Sequence, residues 1–242
     1  MHSLQLHQFR HSAFCQKVRL VLAAKGLSYE VIEVTPGLGQ LGLFRLSGQR
    51  QVPVLVDGET VVSDSTAIAL YLEQQHPERP LLPTDPQQRA RVLLLEDWAD
   101  TALASGARLA LLQAAATDPV LRGALLPEAT PAPLKQLLAA LPAGLGALAE
   151  TLGESLVGGG ERQQLQRSLE QLVVVVASQP YLVGEALSLA DLAVVAQLSL
   201  LSFPACSGAP LAGCGVSGIA DHPLLAPLFI WRDGILAQVA AA

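Results

Sequence analysis

The sequence predicts an α/β domain followed by an all-α domain. Three observations carry that reading. Residues 1–80 alternate strand and helix signals, residues 88–242 carry helix signals over most of their length, and a Pro-rich stretch at 76–86 leads into a linker placed at 81–87. Of the 242 residues, 51% are hydrophobic and 15% charged, which excludes a mainly disordered chain and supplies enough apolar surface for a packed core. Mean hydropathy is +0.41. Even so, the longest unbroken apolar run, 172–177, is far below the ~18 residues of a spanning helix, so no membrane span is expected.

The elements follow in order. Leu4 and Leu6 alternate with polar residues, as in a short strand. Phe14, Val18, Val21 and Leu22 recur at helical spacing, with Ser12 at the N-cap position and Lys25-Gly26 as a stop. Residues 29–34 are rich in aromatic and β-branched types and read as a second strand, parallel to the first if the helix is a crossover. A looser segment spans 36–45. Residues 52–56 and 60–62 form two strands around Asp57-Gly58, a hairpin signal, and Ser65 caps a helix over 66–75. Beyond the linker, helices are expected at 89–116, 134–141, 145–156 and 161–178. Gly158, Gly159 and Gly160 precede the last of these. A further helix starts at Ser188, residues 203–219 read as loop, and a final helix covers 223–239.

Charge is unevenly placed. Residues 1–84 hold seven Lys/Arg and seven Asp/Glu, whereas 85–242 hold eight against fourteen, the whole of the net −6. An acidic chain is a poor nucleic-acid partner. The first 29 residues nevertheless carry four cations, Arg10, Lys17, Arg19 and Lys25, and no carboxylate, so that end is expected to suit a small anion. The three cysteines, Cys15, Cys206 and Cys214, make neither a disulfide framework nor a metal-ligand spacing, and residues 1–14 lack the apolar core of a secretory signal. A reducing, cytoplasmic setting without a bound metal is expected.

Four motifs carry chemistry. Ser12-Ala13-Phe14-Cys15 opens the first helix, Val52-Pro53 opens the hairpin, Asp64-Ser65 opens the third helix, and Gly184, Ser188 and Asp191 precede a helix of the second domain. A helix N-terminus carries unsatisfied N–H groups and partial positive charge, so it stabilises an anion such as a thiolate. A thiol starts near pKa ~8.5, and a fall of about two units corresponds to roughly 2.7 kcal/mol in favour of the thiolate. Each motif also has a purely structural reading. Ser12 can be a simple cap, Cys15 a small buried apolar residue, Pro53 an edge-strand proline, and Asp64-Ser65 a cap with an acidic neighbour.

In this order and spacing the four motifs resemble the cytosolic glutathione transferases over nearly the whole chain. The resemblance implies a thioredoxin-like first domain (β-α-β-α-β-β-α), an all-helical second domain, and a homodimer. It puts Ser12 in the place of the active-site serine of tau-type enzymes, where omega-type enzymes and glutaredoxins have cysteine. It implies that Val52 and a cis Pro53 meet the cysteinyl unit of glutathione, that Ser65 and Asp64 hold its γ-glutamyl end, and that Arg50 or Gln51 meets its glycine carboxylate. Phe14, Leu103, Arg108 and Leu111 are expected to contact a hydrophobic second substrate. Ser188 and Asp191 form a structural capping box, in which the serine accepts from an N–H three residues on and the aspartate reaches back. The implied activity is conjugation of glutathione to a hydrophobic electrophile, with detoxification as its setting. Two alternatives stand beside it. One is a glutathione-dependent thiol transferase or reductase using Cys15, suggested by the Ser-x-x-Cys spacing. The other is a non-catalytic ligand-binding module on the same fold.

Overall fold

The computed structural model describes residues 3–35, 39–126 and 160–241. These fall into two compact units. The first comprises Met1–Asp97, Tyr181–Ala196 and Gly234–Ala242, and the second comprises Trp98–Pro180 and Gln197–Asp233.

The first unit is built on a four-stranded sheet of order β2-β1-β3-β4, with β1 at Leu4–Gln8, β2 at Tyr29–Glu33, β3 at Val54–Asp57 and β4 at Thr60–Ser63. Strand β1 is central. Leu4, Leu6 and Gln8 are its buried set, the period of two that the sequence showed. It pairs in parallel with β2 from Leu4↔Tyr29 to Gln8↔Glu33, and antiparallel with β3 through Leu6↔Leu55. Between β1 and β2 runs α1, Ala13–Ala24, which buries Cys15, Val18, Val21 and Leu22 and ends at Gly26 with φ +68°.

The segment read as loose contains a helix, α2, at Gln40–Ser47. It buries Leu43 alone, against Val34 and Val54, so its apolar periodicity is weak. The hairpin turn falls on Gly58-Glu59, one residue later than expected, because Asp57 pairs with Thr60. Gly58 supplies the positive φ of +59° there. Helix α3, Ser65–Gln75, closes the sheet region and packs beside α1.

The expected long helix at 89–116 is helical throughout but not uniform. Helix α4 spans Pro86–Trp98, a π-helical turn spans Ala99–Leu103, and α5 spans Ala104–Thr117. A short α6 follows at Pro119–Ala124, capped by Asp118. Helix α7, Gly160–Ser178, packs on α5, where Gly106 has no Cβ to meet Leu165; one added there would stand 3.2 Å from that side chain. Helix α8, Leu189–Leu201, is buried on nearly every face, and α9 covers Ala226–Ala240 after a 3-10 turn at Pro223–Leu225. The pieces expected at 134–141 and 145–156, with Gly158 and Gly159, lie outside the described residues. Among the described residues no helix is long and apolar enough to cross a membrane.

Candidate functional site

The tip of α1 comes first. Ser12 has extended backbone angles (φ −81°, ψ 123°), and its Oγ accepts the Cys15 N–H at 3.4 Å, so it is the N-cap. Its own N–H donates to the Phe9 carbonyl at 3.0 Å. A serine hydroxyl has one donor and two acceptor sites. Capping uses an acceptor, and the hydrogen bond by which Ser12 lowers the Cys15 thiol is the O–H donating to that sulfur, so a sulfur placed at the helix tip competes with Cys15 for this donor.

Cys15 is fully buried, and its Sγ accepts from the Phe9 N–H at 3.5 Å. Burial pushes this thiol up, against the opposing pull of the Phe9 and Ser12 hydrogen bonds and the Arg19 charge. A thiol held protonated is a weak nucleophile.

The tip of α3 corrects the sequence reading. Asp64, not Ser65, is the N-cap: its Oδ1 accepts from the N–H groups of both Thr66 and Ala67 at 3.0 Å. Ser65 is the first helical residue and is buried. Either residue type fits an N-cap, so the pair alone does not say which one serves. Asp64 also has φ +77° and ψ 134°, which makes it the positive-φ non-glycine residue among those described. Such a conformation costs on the order of 1–3 kcal/mol.

The two tips are linked by a buried network that the sequence did not suggest. The Lys17 ammonium of α1 pairs with the Glu96 carboxylate of α4 and donates to Thr66 Oγ1 of α3 at 3.1 Å. Thr66 Oγ1 in turn donates to Glu96 at 2.5 Å. Lys17 and Glu96 are both almost wholly removed from solvent. Lys25 is held likewise, by Glu73 at 2.7 Å and by the carbonyls of His76 and Arg79. The expected cluster of four cations at the N-terminal end is therefore not a free anion site, since two of the four are spent on internal pairs.

The remaining candidates are more scattered. Val52-Pro53 is cis, and Pro53 is buried. Arg50 and Gln51 are exposed, with the Arg50 guanidinium 5.6 Å from the centre of the Phe44 ring. Phe14 is half-buried in the first unit. In the second, Leu103 at the end of the π-helical turn and Ala107 and Leu111 of α5 lie buried, while Arg108 is exposed. Leu103 also lines a cleft of about 140 Å³ between α5 and α7, beside Ser105, Gly106, Glu161, Gln164 and Ser168. Asp191 makes the capping contacts to Ser188 by accepting its N–H at 2.8 Å and its O–H at 2.6 Å, and it accepts the Leu182 N–H at 2.7 Å as well. Among the described residues no cluster of His, Cys, Asp and Glu is placed to hold a metal ion.

Against known proteins, residues 6–80 match the family described as glutathione S-transferase, N-terminal domain. The likeness is to that domain and covers this N-terminal stretch of the chain. The matched stretch runs from within β1 to past the end of α3 and includes both helix tips. Glutathione S-transferase Z1 of Arabidopsis thaliana is 41% identical over 90 residues, which is 36% of this chain and 41% of the relative. The stringent starvation protein A homolog of Pasteurella multocida is 38% identical over 90 residues, 35% of this chain and 42% of the relative. The chain thus spans about two fifths of the length of the curated relatives it matches. The β-etherase LigF of Sphingobium sp. strain SYK-6 superposes with a TM-score of 0.71 over 99% of this chain and 97% of its own, at 24% identity. The fold is therefore the thioredoxin-like domain with a mostly helical C-terminal part, as the sequence predicts.

Proposed function

We propose that the chain is a glutathione transferase that joins the glutathione sulfur to a hydrophobic electrophile. One observation carries this reading: Ser12 caps α1 through an acceptor lone pair, so its hydroxyl stands at the helix tip. The tripeptide thiol loses its proton to solvent, and the sulfur anion rests against the Ser12 O–H and the positive end of α1. The anion then forms a C–S bond with the electrophile as the leaving group departs with its electron pair. Asp64 uses Oδ1 for its two capping bonds, so Oδ2 is proposed to take the ligand ammonium, while Ser65 meets the γ-glutamyl carboxylate. Arg50 or Gln51 is proposed for the glycine carboxylate and Val52-Pro53 for the cysteinyl unit.

The Cys15 thiol-transferase reading is weakened by the burial of that sulfur. The binding-module reading is the alternative that an absence of turnover would favour. A cytoplasmic homodimer is proposed on the three free cysteines and the likeness to transferases. Turnover of a chloronitrobenzene-type electrophile by wild type, Ser12→Ala and Cys15→Ala tests the whole reading. Loss in the first variant and retention in the second is expected. Full activity of Ser12→Ala refutes the role of Ser12, and no turnover by wild type favours the binding module.

A further inference from the structure

Ser12 ends a short loop that leaves β1 at Gln8, and both backbone groups of the loop's second residue are gripped by side chains. The Arg10 N–H donates to Glu33 Oε1 at 2.7 Å. The Arg10 carbonyl accepts from Arg19 Nη2 at 3.1 Å. Those two side chains are joined through a third. Gln8 donates from Nε2 to Glu33 Oε2 at 3.2 Å and accepts at Oε1 from Arg19 Nη1 at 2.6 Å. The result is a closed ring running Arg10 backbone, Glu33, Gln8, Arg19 and back. Its members come from the end of β1, the end of β2 and the second turn of α1.

We propose that Gln8, Glu33 and Arg19 are positioning residues that hold the loop before Ser12 and so fix where its hydroxyl stands at the tip of α1. Three features support this. Gln8 is only 5% exposed, so it has little freedom to leave the ring. The charged members, Glu33 and Arg19, have opposite signs and reach the same loop residue from the end of β2 and the second turn of α1. Each backbone group of Arg10 is held by its own partner, which fixes the loop in two directions. Catalytic groups need placement within about half an ångström, and a misplacement near 1 Å can cost about a hundredfold in rate.

The inference rests on the Ser12 reading, and the experiment separates the two. Glutathione conjugation and the ultraviolet titration of the bound thiol are measured for wild type, Ser12→Ala, Glu33→Ala, Glu33→Gln and Gln8→Leu. Thermal melting of each variant confirms folding. Glu33→Ala and Gln8→Leu are expected to lower kcat by about tenfold or more and to raise the titration midpoint, with KM for glutathione changed less than about threefold. Glu33→Gln keeps an acceptor for the Arg10 N–H but loses the one for Gln8 Nε2, and is expected to recover part of the loss. If Ser12→Ala is impaired while folded Glu33→Ala and Gln8→Leu match wild type, the clamp is refuted and Ser12 stands. If Glu33→Ala is damaged while folded Gln8→Leu, which leaves both charges in place, matches wild type, charge and not position is at work, and the clamp is again refuted. If Ser12→Ala itself matches wild type, the Ser12 reading falls and the role given to the clamp falls with it.

Discussion

The Lys17 ammonium and the Glu96 carboxylate form an ion pair that is almost wholly closed to solvent, although the two residues stand 79 apart in the chain. With Thr66 the pair joins α1, α3 and α4, and so ties together the two helix tips of the candidate site. Removing one partner of such a pair strands a buried charge, which costs about 3–5 kcal/mol. Lys17→Met is therefore expected to lower the unfolding free energy by that amount in a denaturant titration. The double variant Lys17→Met, Glu96→Leu is expected to recover a good part of it. A loss below about 1 kcal/mol for the single variant contradicts the burial of the pair.

Asp64 both caps α3 and occupies a positive-φ conformation. Asp64→Ala loses the cap and keeps the strain, at a cost of about 0.5–2 kcal/mol from the cap alone. Asp64→Gly loses the cap but relieves the strain, so it is expected to be the more stable of the two. Both variants are expected to bind glutathione more weakly than wild type by calorimetry. Equal melting temperatures for the two would contradict the strained backbone.

The three cysteines differ in exposure: Cys206 is exposed, Cys214 half-buried and Cys15 buried with its thiol pushed up. Alkylation of the native protein at neutral pH, followed by mass spectrometry, is expected to label Cys206 first and Cys15 last. Rapid labelling of Cys15 would restore the thiol-transferase reading.

Burial pushes the Asp191 carboxyl up, and the hydrogen bonds from Leu182 and Ser188 only partly oppose it. The folded state then holds this proton to higher pH than the unfolded chain does. The contribution to stability is present in full below the unfolded pKa and is lost as pH rises through the folded one, at no more than about 1.4 kcal/mol per pH unit. Asp191→Asn is expected to remove that slope from a plot of unfolding free energy against pH. An unchanged slope would show that the carboxyl is not raised.

What the sequence reveals here depends on distance along the chain. The pattern of β1, α1 and β2 is local, because the period-two burial of Leu4 and Leu6 and the helical spacing of Val18, Val21 and Leu22 lie within a few residues of one another. Helix α2 escaped because a helix that buries only Leu43 leaves almost no apolar stripe. The cap of α3 was misplaced by one residue because Asp and Ser serve equally well there. The cations of the first 29 residues looked available because their partners, Glu73 and Glu96, lie far along the chain and are recognised only once α1, α3 and α4 are packed. The Gln8 ring was hidden for the same reason, since Glu33 reaches Arg10 only through the parallel pairing of β1 with β2.

The most direct test is a spectroscopic titration of glutathione held by wild type and by Ser12→Ala, following thiolate absorbance from acid to alkaline pH. The account predicts a midpoint about two units below that of free thiol in wild type, corresponding to roughly 2.7 kcal/mol, and a return towards the free value in the variant. Identical midpoints in the two proteins would contradict it.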